Sequence, residues 1–224
     1  MNPALGAIAI AILAGAIGAV FVRDARIAVL SLAVVLLIAP FLADPIAPAS
    51  GLVARILGAI LATYLVWIVV RDGAYGTGGS RLGWAPDGLT VASAAVVGFA
   101  SHGLGAPTTG PAFASAVGFG LAAAAIAPIL TGRDVIRVGI GLSLLFQGAL
   151  LVRVGLGGTP TTMESLITAG AIAALGGAIA VLAMAARSDG TAGFALAEEL
   201  PPRRRRQTDL RPDARPSGNP EDGA

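Results

Sequence analysis

Residues 4–43 read ALGAIAIAILAGAIGAVFV-RDAR-IAVLSLAVVLLIAPFLA, two long apolar runs separated only by Arg23-Asp24-Ala25-Arg26. A hydrocarbon core of about 30 Å takes roughly 20 apolar residues as helix. Backbone facing lipid must satisfy its own hydrogen bonds, so open sheets and loops are excluded there. The stretch therefore predicts a helix, a charged turn and a second helix, both crossing a membrane.

Working outward, the same pattern recurs along the chain. Segments at about 4–22, 27–43, 50–70, 89–106, 111–131, 135–156 and 162–186 qualify as spans. They predict an all-α polytopic membrane helix bundle with about seven transmembrane helices. The fourth is the weakest, because Ser93, Ser101, His102 and several glycines interrupt it. The breaks carry turn chemistry: Asp44-Pro45 through Pro48, Pro107 to Pro111, and Gly157-Gly158-Thr159-Pro160.

Composition agrees with this reading. Of 224 residues, 55% are hydrophobic and 12% charged, with a mean hydropathy of +0.82. Soluble domains carry about a quarter charged residues, so an ordinary soluble globule and a disordered chain are both excluded. There is no cysteine, which excludes a disulfide-stapled secreted domain. All 15 basic residues are arginine. Lysine absence beside alanine richness points to a GC-rich bacterial genome, hence a bacterial inner membrane.

The arginines orient the bundle. Arg23 and Arg26 fall in the first loop, Arg71 and Arg81 in the third, Arg133 and Arg137 about the fifth, and Arg187 after the last span. The intervening loops hold none. Under the positive-inside rule, seven spans place the N-terminus outside and the C-terminus in the cytoplasm, whereas six would break the alternation. The high pI then reports topology, and no nucleic-acid partner is expected. The first segment lacks a positive region before its apolar run, so it is expected to be a retained helix, not a signal peptide. Residues 188–224 hold Arg203-Arg204-Arg205-Arg206, five prolines and scattered acids. They predict a disordered cytoplasmic tail, whose arginine run suits anionic lipid, at about 1 kcal/mol per arginine, or a soluble protein partner.

Ionisable groups deep in a membrane usually mark ion or proton pathways. No Asp, Glu or Lys lies in the middle of any span here, which argues against an independent proton pump. Four candidates lie near the outer ends of spans: Arg55, Arg153, Glu164 and His102. Pairing of Arg55 or Arg153 with Glu164 or Asp44 would lower the cost of partial burial; snorkelling to the interface is the alternative. Thr161-Thr162-Met163-Glu164 also has capping-box spacing. His102 has no companion ligand, so an interfacial hydrogen bond is expected of it. Gln147, four residues after Ser143, is the most polar mid-span residue, and an interhelical hydrogen bond is its expected role. Small residues four apart in the first and seventh spans (Ala14/Gly18, Gly15/Ala19, Gly170/Ala174, Ala173/Gly177, Gly176/Ala180) predict close helix packing there. No catalytic, metal or cofactor-binding residue is expected; Gly76-Thr77-Gly78-Gly79 reads as a flexible connection.

The run Arg137-Val-Gly-Ile-Gly-Leu-Ser-Leu-Leu-Phe-Gln-Gly148, followed by Pro160-Thr-Thr-Met-Glu164, resembles the E subunit of hydrogenase-4 and formate hydrogenlyase. That family is related to the K subunit of respiratory complex I and the C subunit of multi-subunit cation/proton antiporters. The matching positions are Arg137, Gly141, Gly148, Pro160 and Glu164, with Arg55 loosely aligned to a basic residue of the third helix. The departure is at mid-helix, where Phe146 and Gln147 replace the family's carboxylate and amide. The resemblance implies a membrane scaffold subunit of a hydrogenase-type or complex-I-related oxidoreductase, bound to other membrane subunits, without a cofactor and without a complete proton path of its own. Gln147, Glu164, Arg137 and Arg55 would brace its interfaces. A stand-alone small membrane transporter is the rival reading.

Overall fold

The computed structural model describes residues 3–43, 46–71, 84–103 and 110–188. All belong to one compact unit, Met1–Phe194; the remaining residues, including Arg203 to Arg206, lie outside the described part, as do Asp44 and residues 72–83. The described residues form seven α-helices and no β-strand: α1 (Pro3–Phe21), α2 (Ala25–Ile38), α3 (Ala49–Val70), α4 (Trp84–Gly103), α5 (Gly110–Thr131), α6 (Val135–Gly157) and α7 (Thr162–Ser188). A short 3-10 turn at Ala39–Leu42 continues α2, with Pro40 in its first turn. Proline supplies no amide hydrogen and cannot extend the α ladder, so the expected span at 27–43 ends in this tighter form.

Helix starts follow from local chemistry. Asp24 caps α2, its carboxylate accepting from the Arg26 amide at 2.9 Å, and Asp134 caps α6 through the Ile136 amide at 3.2 Å. Each satisfies one of the amide groups left without an intrahelical partner at a helix start.

Among the described residues, six helices are long and apolar enough to cross a membrane. In α4 the qualifying apolar stretch is shorter, Gly88–Ser101. Its hydroxyls turn inward on their own backbone: Ser93 Oγ donates to the Thr90 carbonyl at 3.1 Å and Ser101 Oγ to the Gly98 carbonyl at 2.8 Å. That local bonding lowers the cost of carrying serine in an apolar helix.

Packing rests on backbone proximity. α5 and α6 form the most extensive pair, centred where Gly118 and Gly148 face one another; a Cβ on either would come 2.7 Å from the other's carbonyl oxygen. The second tight seam joins α3 and α7. A Cβ on Gly51 would stand 2.8 Å from Ser165 Oγ, on Gly58 2.6 Å from the Ala169 carbonyl oxygen, and on Gly176 2.6 Å from the Ala62 Cα. As the contacts climb α3 from 51 to 62 they climb α7 from 165 to 176, so the two helices run parallel. α5 and α6 run antiparallel, since Gly118 meets Gly148 and Val152 while Gly141 meets Ile129 and Ala125.

Small-residue spacing therefore located only part of this packing. Gly15 and Gly18 approach Ser31 and Val35 of α2, and Gly176 meets Ala62, as the pattern in the first and seventh spans predicts. Gly170, however, has nothing within 4 Å of its would-be Cβ. The tightest sites include Gly58, Gly118 and Gly148, which the spacing did not single out. Close approach depends on the facing helix, and a four-residue repeat on one helix says nothing about its partner.

Two substitutions separate these cases. Gly58→Val should lower stability in detergent by about 1–3 kcal/mol through overpacking. Gly170→Ala should be neutral or stabilising by up to about 1 kcal/mol, from helix propensity alone. Thermal unfolding followed by circular dichroism measures both.

Candidate functional site

At the end of the bundle where α6 hands over to α7, the chain turns at Gly158, whose φ of 76° lies in the region glycine adopts without strain. Thr161 and Glu164 then form a reciprocal capping box. Glu164 N–H donates to Thr161 Oγ1 at 3.2 Å, and Thr161 N–H donates to Glu164 Oε2 at 2.8 Å. Arg153, one turn before the end of α6, donates through Nη2 to Glu164 Oε1 and through Nη1 to the Gly158 carbonyl at 3.2 Å. One guanidinium thus ties the end of α6, the turn and the start of α7 together. The carboxylate serves both as cap and as ion-pair partner, combining the two roles that the sequence offered.

Arg55 does not join that pair. It enters from α3, six residues after Ala49 and so about 9 Å along the helix axis. It is only 3% exposed, and its Nε and Nη2 have no hydrogen-bond partner among the described residues. Snorkelling into water is excluded by that burial. The side chain instead lines a cavity of about 160 Å³ between α3, α6 and α7, together with Leu150, Arg153, Glu164, Ser165 and Thr168. Ser165 Oγ is likewise buried and unpartnered, whereas Thr168 Oγ1 donates to the Glu164 carbonyl at 2.6 Å.

Gln147 sits at mid-helix on the innermost stripe of α6, in register with Ile140, Leu144, Leu151 and Val154. It is fully buried, and neither amide atom has a hydrogen-bond partner among the described residues. The expected interhelical bond is not made, because the stripe is otherwise aliphatic. Ser143 bonds its own helix, Oγ to the Gly139 carbonyl at 2.9 Å. Ser143 and Phe146 face a small cavity of about 20 Å³, walled by α2, α3 and α7 and including Thr63, whose Oγ1 is also unpartnered. That volume suits a single water molecule.

The opposite end of the bundle collects positive charge. Arg26 of α2 donates through Nη2 to the carbonyl of Arg71, the C-cap of α3. Arg23 and Arg133 lie in the adjoining turns, and Arg187 ends α7. Arg137 lies beside Asp134, whose carboxyl is pushed above its usual range by burial; the Ile136 amide and the Arg137 charge oppose that shift. Asp134 is a site that the sequence reading passed over, although an Asp directly ahead of an apolar run is an N-cap signature.

Among the sequence candidates, then, the fold gathers Arg55, Arg153 and Glu164 around one cavity. It leaves Gln147 in the apolar centre and Arg137 at the far end. His102 lies in the last turn of α4, and its side chain is outside the described residues. No family model, curated protein or solved structure matches the chain.

Three measurements test this geometry. Glu164→Ala should lower the melting temperature more than Glu164→Gln, which keeps an acceptor for the cap. A double-mutant cycle with Arg153→Ala should be clearly non-additive in thermal melts. Gln147→Leu should be neutral or stabilising, by about 1 kcal/mol, since it removes a buried unbonded amide. A large loss of stability would show that the amide is bonded.

Proposed function

We propose that this chain is a non-catalytic scaffold subunit of a hydrogenase-type or complex-I-related membrane oxidoreductase in a bacterial inner membrane. It crosses the bilayer seven times, with the N-terminus outside and the tail in the cytoplasm.

The observation that carries the reading is the chemistry of the bundle centre. Where the resemblance would place a mid-membrane carboxylate stands Phe146, beside a cavity about the size of one water. No Asp, Glu or Lys occupies the middle of any span. A protein built this way braces its neighbours and leaves the proton path to them.

Seven crossings are supported by the parallel run of α3 and α7. Three helices separate them in the chain, and parallel alignment requires an odd number of these to cross; with α5 and α6 both long and apolar enough to do so, α4 is the third. The orientation is supported by the gathering of Arg23, Arg26, Arg71, Arg133, Arg137 and Arg187 at one end, which by the positive-inside rule is cytoplasmic. The run Arg203 to Arg206 would add attraction to anionic lipid on that side.

An outer covering of other subunits is supported by the helices at the periphery. In α1 only 28% of the spanning window is buried within the chain, and in α7 33%, against 56% in α5 and α6. The open faces carry Ile10 on α1 and Leu166, Ile167, Val181 and Leu182 on α7. They are apolar and suit lipid or a neighbouring helix.

Purification of the chain from its native host in a mild detergent, followed by mass spectrometry, tests the proposal. Antiporter-like and iron–sulfur subunits should copurify in fixed proportion. Recovery as a lone monomer contradicts it.

A further inference from the structure

We propose that the cavity holding Arg55 binds the phosphodiester of an anionic phospholipid, with Arg55 as its anchor. The chemistry begins with what the cavity leaves unmet. Arg55 is buried, and the two nitrogens without partners, Nε and Nη2, are adjacent ones on a single edge of the guanidinium. That edge presents two parallel N–H groups, the fork that fits two oxygens of one oxyanion. Guanidinium has no acceptor to offer. Ser165 Oγ, buried on the facing wall, adds a hydroxyl with no partner. The ligand that completes this set is an acceptor, and a charged one.

Charge sets its valence. Glu164 is engaged by Arg153 at the mouth, so the guanidinium of Arg55 is the charge in excess. α3 and α7 both begin at this end, and helix starts carry partial positive charge. The phosphodiester of an anionic lipid brings two free oxygens, matching the fork, and one negative charge that no headgroup cation compensates, matching the excess; a zwitterionic lipid would bring a further cation beside Arg55 and Arg153. Around this polar set the wall is apolar, formed by Leu150, Val154, Pro160 and Ile167. Ile167 is 62% exposed, next to exposed Leu166 on the outer face of α7. The cavity therefore adjoins the lipid-facing surface, near the helix ends where headgroups lie. A free phosphate would gain nothing from that apolar lip, whereas a phospholipid lays its acyl chains along it.

The site is independent of the scaffold proposal, because it is read on the isolated full chain. Native mass spectrometry of the detergent-purified protein, titrated with phosphatidylglycerol, phosphatidylcholine or inorganic phosphate, provides the test. Wild type should retain one phosphatidylglycerol in preference to phosphatidylcholine, and millimolar phosphate should leave that lipid in place. Arg55→Gln should weaken retention by at least about tenfold, and Arg55→Lys by less. If Arg55→Gln fails to fold, Ser165→Ala, which keeps the guanidinium, should weaken retention several-fold. The proposal is overturned by absence of preference for the anionic lipid, by displacement with phosphate, or by variants that bind as wild type does.

Discussion

The α3–α7 seam is the constraint on which the rest of the bundle depends. Gly58 lies against the Ala169 carbonyl and Gly176 against Ala62, so two backbones touch without side chains between them. Inside lipid no hydrophobic force drives helices together, and close packing with interhelical bonding takes its place. This seam makes the last helix parallel to the third, which sets the direction of everything between them. It also draws α6 in at both ends: Gly139 packs on Ile179 near one, and Arg153 pairs with Glu164 at the other.

From that arrangement follows the polarity of the molecule. One end carries capped helix starts at Asp24 and Asp134 and a cluster of arginines. The other carries a single tied corner and a buried arginine. Between them the bundle is largely aliphatic; of the polar residues there, Ser143 bonds its own helix and Gln147 goes unbonded among the described residues. A polar group left dry is costly, so Gln147 marks a place where sequence and packing disagree. In a scaffold such a residue is tolerated; in a proton path it would need partners on both sides.

Much of this was legible in the chain. Apolar runs gave the helices, Thr-x-x-Glu gave the start of α7, and the spacing of arginines separated the two ends. The Arg153–Glu164 pair was one of few options, because carboxylates near spans are rare here. What could not be read was which residues meet across helices. Gly170 and Gly58 are alike in composition, yet only Gly58 touches a neighbouring backbone. Arg55 looked like a candidate for pairing or snorkelling and, among the described residues, does neither, since its surroundings come from α6 and α7, more than 90 residues further along the chain. Local pattern fixes an element and its ends; burial and partnership belong to the fold.

Whether α4 crosses decides the relation between the two halves of the chain, and cysteine accessibility measures it directly. The chain has no cysteine of its own, so single substitutions report without background. Val22→Cys lies in the α1–α2 turn, Thr131→Cys ends α5 and Thr159→Cys lies in the α6–α7 turn. In intact cells a membrane-impermeant maleimide should label position 159 and reach 22 and 131 only after permeabilisation. Labelling that places 22 and 131 on opposite sides of the membrane would contradict the seven-span bundle.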